Sequence, residues 1–292
     1  MKKFKELLNG NKVAKVMGVH NGLTAKLAEE AGYDAVWASG LEISASQAVP
    51  DANILTMSEN LQVVENIRES TKIPVLCDCD SGYGGLNNTV RMVEKYEGVG
   101  VDAICIEDKL FPKMNSFIEN NQVLADRIDF CEKIRSIKIT QENPDFCAVA
   151  RIESLIAGEG MEKALERAEL YEKAGADALL IHSKATDVKE IKEFAKGYIG
   201  KLPLIIVPTT YPDIDLNELY KLGIRMVIFA NQGLRSAVNS IKATFDKIIE
   251  FEKTTVVEDE IAPMSEIFRL QGMYDMLENE RKIKNTISKE CF

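Results

Sequence analysis

The chain is poor in histidine, with only His20 and His182, and it carries a single tryptophan, Trp37. Six cysteines are present, Cys77, Cys79, Cys105, Cys131, Cys147 and Cys291, but a zinc site would need further Cys or His at ligand spacing. Most of the thiols lie in apolar runs, where they behave as small buried hydrophobes of a reducing compartment. Basic residues are also outnumbered. A formal net charge of -10 is the wrong sign for a surface that must neutralise nucleic-acid phosphates, so no nucleic-acid partner is expected. No apolar run approaches the ~20 residues that span a bilayer. The basic start at Lys2, Lys3 and Lys5 is followed by Glu6, Asn9 and Asn11 rather than a secretory apolar stretch. The expectation is a cytoplasmic protein with no membrane partner. A Pro/Gly/Ser-rich linker is missing too, as is a Gly-rich dinucleotide turn after an early strand.

What the sequence does have is alternation. Eight short apolar runs, at residues 13–19, 35–39, 75–80, 103–107, 147–152, 178–182, 204–208 and 226–230, are separated by charged stretches with helical periodicity. Runs this rich in Val, Ile, Leu and Ala read as strands buried on both faces. The stretches 23–31 and 161–174 are helices that stop at Gly32 and Gly175. A phrase ending Asp-Ala recurs at residues 31–35, 100–103 and 174–178 and marks three helix-to-strand turns. Strand and helix in strict alternation imply right-handed crossovers and a parallel sheet, and eight repeats close into an α/β (β/α)8 TIM barrel. The barrel is expected over 1–260. Residues 261–292 form a C-terminal helical extension, with Ile267, Leu270, Met273, Met276 and Leu277 along one side of a helix over 262–284. Such a surplus apolar helix would dock on a neighbouring subunit or on its own barrel.

In this fold, chemistry is placed where strands end. The third run ends Asp78-Cys79-Asp80, the fourth Glu107-Asp108-Lys109, the fifth Arg151-Ile152-Glu153, the sixth His182-Ser183-Lys184, the seventh Pro208-Thr209 and the eighth Asn231-Gln232. Asp78, Asp80 and Glu107 come from adjacent strands, and crowded like charges call for a cation. Oxygen-only donors suit Mg2+. Arg151 offers a fork for carboxylate or phosphate, or else an ion pair with Glu153. His182 could donate to an oxyanion or serve as a structural imidazole. Ser39 and Gly40 would offer backbone N–H groups to an anion, while Trp37 could cover a planar substrate or belong to the core. Gly82-Tyr83-Gly84-Gly85 lacks the Gly-Lys-Ser/Thr ending of a phosphate loop and reads as a sharp turn.

The segment Asp78-Cys79-Asp80-Ser81-Gly82-Tyr83-Gly84 resembles the metal-holding Asp-x-Asp-x-Gly-x-Gly of the phosphoenolpyruvate mutase/isocitrate lyase superfamily. Glu107-Asp108-Lys109-Leu110-Phe111-Pro112-Lys113-Met114-Asn115-Ser116 is similar to the gating loop of its phosphoenolpyruvate mutases. The likeness continues through Ala150-Arg151-Ile152-Glu153 and His182-Ser183-Lys184 to Ile267-Phe268-Arg269-Leu270. The catalytic cysteine segment of the carbon–carbon lyases is missing from the loop. Phosphonopyruvate hydrolases carry Thr where Asn115 stands.

The resemblance implies interconversion of phosphoenolpyruvate and phosphonopyruvate by an isomerase, the first step of phosphonate biosynthesis. A phosphonopyruvate hydrolase, a lyase of the superfamily, and a barrel that binds a keto acid without turnover are the alternatives. It also implies Mg2+ on Asp78, with Asp80 and Glu107 bound directly or through water. The backbone of Ser39, Gly40 and Leu41, with Arg151, would hold the anionic ends of the substrate. Asp51 would act as nucleophile or in the metal shell, and Lys113, Asn115 and Ser116 would close over the phosphoryl group. Family members are homotetramers, dimers of dimers that exchange C-terminal helices. The loop from 109 to 121, with Lys113, Asn115, Asn120 and Asn121, is expected to be mobile when empty and ordered over substrate.

Overall fold

A computed structural model describes residues 3–118 and 122–291. All eight apolar runs form strands: β1 (Ala14–Val19), β2 (Ala35–Ala38), β3 (Val75–Asp78), β4 (Ala103–Glu107), β5 (Cys147–Ile152), β6 (Ala178–Ile181), β7 (Leu204–Ile206) and β8 (Ile224–Phe229). Each pairs in parallel with the next. β8 closes onto β1 with Ala14 opposite Met226 and Met17 opposite Phe229, which makes the barrel continuous.

Alternation along each strand separates two cores. Val16, Trp37, Leu76, Cys105, Val149, Leu180, Ile205 and Met226 share the barrel interior, and Phe4, Leu7 and Leu8 of the helix Phe4–Leu8 join that cluster. The intervening residues, such as Val36, Cys77, Ile104, Leu179 and Val227, pack outward on Ala25, Val64, Met92, Ile134 and Ala168 of the surrounding helices. Strands buried on both sides need no polar face, which is why the runs read as solid hydrophobic blocks.

The recurring Asp-Ala phrase turns out to be a register device. Asp34, Asp102 and Asp177 each stand just before an even-numbered strand. Each side chain accepts a backbone N–H from the strand before it: Lys15 at 3.0 Å, Val75 at 2.9 Å and Ala148 at 2.7 Å. Each also returns its own N–H to the carbonyl of that same residue. A one-residue slip would break both bonds at once, so three of the eight pairings are pinned locally. Gly32 and Gly175, at φ +85 and +106, supply the left-handed stops upstream of two of them.

The chain divides into two compact units, Met1–Leu234 and Arg235–Phe292. All eight strands lie in the first. The expected division at 260/261 differs by assigning the helix Gln232–Phe251 to the barrel as its eighth outer helix. The single tail helix expected over 262–284 is in fact two, Met264–Leu270 and Met273–Cys291. Gly272 sits between them at φ +72, a conformation that ends a helix at little cost in glycine. Of the apolar side read from the sequence, Leu270 is buried while Met276 and Leu277 are about half exposed. Among the described residues, no helix is long and apolar enough to cross a membrane.

Candidate active site

A pocket opens where the strands end. It is lined by Trp37, Ser39 and Leu41 from the β2 end, Asp51, Asp78, the loop residues Lys113, Asn115, Ser116 and Phe117, then Arg151, His182, Val207, Thr209, Ala230 and Asn231. The three remaining residues picked out from the sequence, Gly40, Asp80 and Glu107, lie directly behind this surface. The Gly40 N–H approaches Asp78 Oδ2 at 3.3 Å, Asp80 pairs with Lys113, and Glu107 lies 3.3 Å from Arg151 Nε.

The acidic side is tightly built. Asp78 ends β3, and a Cβ at position 40 would stand only 3.1 Å from its Oδ2, so glycine permits this approach. Asp80, two residues on, is a non-glycine residue held at φ +50, a strained backbone of the kind that persists at functional sites. Burial lifts its carboxyl to about 7, with the Asp78 and Asp51 charges adding to the rise and Lys113 opposing it. Lys113 places its ammonium 2.6 Å from Asp80 Oδ1 and 2.9 Å from Asp51 Oδ1. Burial alone would lower the Lys113 pKa, but Asp80, Glu107, Asp51 and Asp78 together hold it well above the usual lysine value. Asp51 also accepts from the Asn115 amide at 2.6 Å. Burial acts to raise its pKa, yet Lys113 and Asn115 outweigh it and keep the carboxylate ionised.

The cationic side is paired from behind. Arg151 Nε lies 2.5 Å from Glu153 Oε1, so the ion-pair reading of this arginine holds in the structure, while its side chain still lines the pocket. His182 Nδ1 is 2.7 Å from Glu153 Oε1 and 2.8 Å from an Arg151 terminal nitrogen. Burial and the nearby Arg151 and Lys109 charges lower the His182 pKa despite Glu153, so the ring is neutral at pH 7. Two backbone donors expected to hold an anion are engaged: Ser39 N–H donates to the Val19 carbonyl at 3.1 Å, and Gly40 N–H to Asp78. Trp37 is buried in the barrel interior, as the core reading had it, and it also lines the pocket.

The loop after β4, expected to act as a gate, is fastened by polar groups. Lys109 pairs with Leu124 at its base, and Lys113 and Ser116 are buried beneath it. Phe111 and Phe117 remain about half exposed, although Phe117 meets His182 edge-on. Asn120 and Asn121, counted in the lid from the sequence, lie outside the described residues. The glycine turn behaves as read: Gly82, Tyr83 and Gly84 all have positive φ, and Lys133 holds the Ser81 and Gly84 carbonyls at 2.7 Å. Carbonyls drawn together in this way do not make a phosphate cradle.

Sequence reasoning missed Asn53. This residue donates to Asp80 Oδ2 at 2.7 Å and accepts the Lys113 backbone N–H at 2.5 Å, from a segment without periodicity to flag it. Thr209 and Asn231 were visible as the ends of the seventh and eighth runs, and strand-end position alone would have singled them out.

The residues present fit Mg2+. Both Glu107 carboxylate oxygens are buried without a hydrogen-bond partner, with Arg151 at 3.3 Å and Lys109 at 3.9 Å as ion-pair neighbours, so their lone pairs stay open to a hard cation, while Asp80 Oδ1 is met by Lys113 at 2.6 Å. Among the described residues, no three His, Cys, Asp or Glu side chains come together as a group able to hold a metal ion, so Asp78, Asp80 and Glu107 are not gathered into a ready-made three-carboxylate site. Mg2+ does not require one, because it keeps several waters and takes one or two carboxylates directly.

A closed (β/α)8 barrel with crowded carboxylates, a paired arginine and a buried lysine at its strand ends defines an enzyme pocket for a small molecule. The chain belongs to the phosphoenolpyruvate phosphomutase family, whose model matches residues 4–249. It is 42% identical to a phosphoenolpyruvate phosphomutase of Tetrahymena pyriformis, covering 96% of this chain and 93% of the relative. The crystal structure of a phosphoenolpyruvate phosphomutase from Streptomyces platensis subsp. rosaceus superposes with a TM-score of 0.93 at 46% identity, over 95% of this chain and 97% of that one. A phosphonopyruvate hydrolase in complex with oxalate and Mg++ superposes with a TM-score of 0.90 at 39% identity, over 95% and 96%.

Proposed function

We propose that the chain is a Mg2+-dependent phosphoenolpyruvate mutase, interconverting phosphoenolpyruvate and 3-phosphonopyruvate. The observation that carries this reading is the lid, where Asn115 and Lys113 reach from above onto Asp51 and Asp80 and enclose the pocket. In the forward direction the bond between phosphorus and the enol oxygen breaks, and a bond from phosphorus to the methylene carbon forms. The phosphoryl group in transit is metaphosphate-like and needs positioning and charge stabilisation more than a covalent partner.

Asp78 would hold the ion, with Asp80 and Glu107 bound directly or through water, and the ion supplies charge neutralisation for the oxygens of the substrate. Arg151, neutral His182 and, within the Ser39-Gly40-Leu41 turn, the Leu41 backbone would hold and orient the anionic ends beside Trp37, since the Ser39 and Gly40 N–H groups are engaged by Val19 and Asp78. Asp51, ionised and gripped by two lid donors, anchors the closed lid. Lys113, Asn115 and Ser116 then keep water from capturing the phosphoryl group. Exchange of C-terminal helices into a homotetramer belongs to the same reading.

Similarity to a phosphonopyruvate hydrolase gives the second reading. Phosphorus NMR on purified protein with Mg2+ and phosphonopyruvate separates the two. Phosphoenolpyruvate as the dominant product supports the mutase, and pyruvate with phosphate would make the enzyme a hydrolase.

A further inference from the structure

Glu153 stands just after β5, is fully buried and does not line the pocket, yet it touches three residues that do. Its Oε1 lies 2.5 Å from Arg151 Nε and 2.7 Å from His182 Nδ1. Its Oε2 accepts the Ser116 hydroxyl at 2.8 Å and lies 3.1 Å from Lys109 Nζ. Lys109 in turn donates to Ser116 Oγ at 2.6 Å and to the Met114 carbonyl at 3.0 Å. One carboxylate oxygen therefore faces the barrel wall and the other faces the lid. The group is fixed from behind as well. Its backbone N–H donates to Asp108 Oδ1 at 2.9 Å, and Asp108 is held by the Tyr171 hydroxyl at 2.6 Å and by Arg167 at 3.3 Å.

We propose that Glu153 is a positioning residue that couples lid closure to the pose of Arg151 and His182, an assignment that rests on the mutase reading of this pocket. When the lid lifts, Ser116 leaves and Oε2 loses a donor in a site that water reaches poorly. A buried carboxylate short of a partner is costly, so it draws Lys109 and the neighbouring cations toward itself. When Ser116 returns, that demand is met, and Arg151 and His182 settle where the substrate needs them. A closed lid and correctly posed cations thus favour each other through one side chain.

The test uses Glu153→Gln, which removes the charge at constant shape, and Glu153→Asp, which keeps the charge but withdraws it by one methylene. Glu153→Gln is expected to lower kcat on the order of 100-fold, the usual cost of small misplacements, with a much smaller change in KM. The share of phosphonopyruvate converted to pyruvate and phosphate should rise, because a loosened lid admits water. Glu153→Asp should move both readouts the same way but less. In a cycle with Ser116→Ala, the two losses should fail to add.

A second measurement is independent of which product forms. Oxalate with Mg2+ should protect the wild-type lid from trypsin at Lys113, and Glu153→Gln should lose that protection. Folded Glu153→Gln and Glu153→Asp proteins with wild-type product ratios and wild-type protection would overturn the coupling. If Glu153→Gln does not fold, Glu153→Asp alone decides by the same two readouts. If the wild type yields only pyruvate and phosphate, the mutase reading fails, and the coupling then stands or falls on protection at Lys113. Lack of protection in the wild type itself would also count against the coupling.

Discussion

Asp78 carries more of the site than its size suggests: it ends β3, receives the Gly40 and Asp80 backbone N–H groups, and faces the pocket. Asp78→Ala is expected to cut turnover by at least about 100-fold at saturating Mg2+. Melting of the metal-free variant should occur at or above the wild-type temperature, since one of three crowded carboxylates is gone. Turnover near wild type would place the metal elsewhere. His182 permits a pH prediction. Its folded pKa lies below the unfolded value of 6.5, so the unfolded chain takes up the proton first as pH falls. The stability it contributes is complete above about 6.5 and is lost as pH drops toward the folded value. Urea unfolding of wild type and His182→Gln at pH 7.5 and 5.5 should show their stability difference moving against the wild type at the lower pH. Asp80 and Asp108, raised by burial to about 7 and about 6, titrate nearby but are common to both proteins.

The loop after β4 that carries Lys113, Asn115 and Ser116 is the segment whose behaviour matters most to the proposed chemistry. Asn115→Ala should lose turnover on the order of 100-fold while KM for phosphonopyruvate changes several-fold at most, because the amide matters mainly as charge redistributes in transit. Equal losses in binding and turnover would make Asn115 an ordinary ground-state contact. Legibility also divides at this scale. Every strand was readable, since burial on both faces writes solid apolar blocks into the sequence, and strand ends then pointed to Asp78, Arg151 and His182. The break at Gly272 was not, because the apolar spacing from Ile267 to Leu277 runs through it without interruption. Asn53 escaped for a related reason: an irregular segment has no period, and only folding brings its amide between Asp80 and Lys113. Glu153 was legible only as a possible partner of Arg151, since its links to His182 and Ser116 cross 29 and 37 residues of chain.

At the scale of the whole molecule, the helix-exchange reading fixes an expected subunit number. Sedimentation of the full chain is expected to give four times its 32.5 kDa mass. Leu277→Glu, which places a charge on a half-exposed apolar side chain of the last helix, should shift that value toward smaller species. A monomer in the wild type would remove the helix-exchange proposal and leave the barrel description intact. The residues lining the pocket, from Trp37 to Asn231, all fall within the compact unit Met1–Leu234. The chemical apparatus and the proposed means of association are thus encoded in separate stretches of the chain. Descendants of this sequence can therefore rewrite one stretch while inheriting the other, so changes in subunit number and changes in reaction need not evolve together.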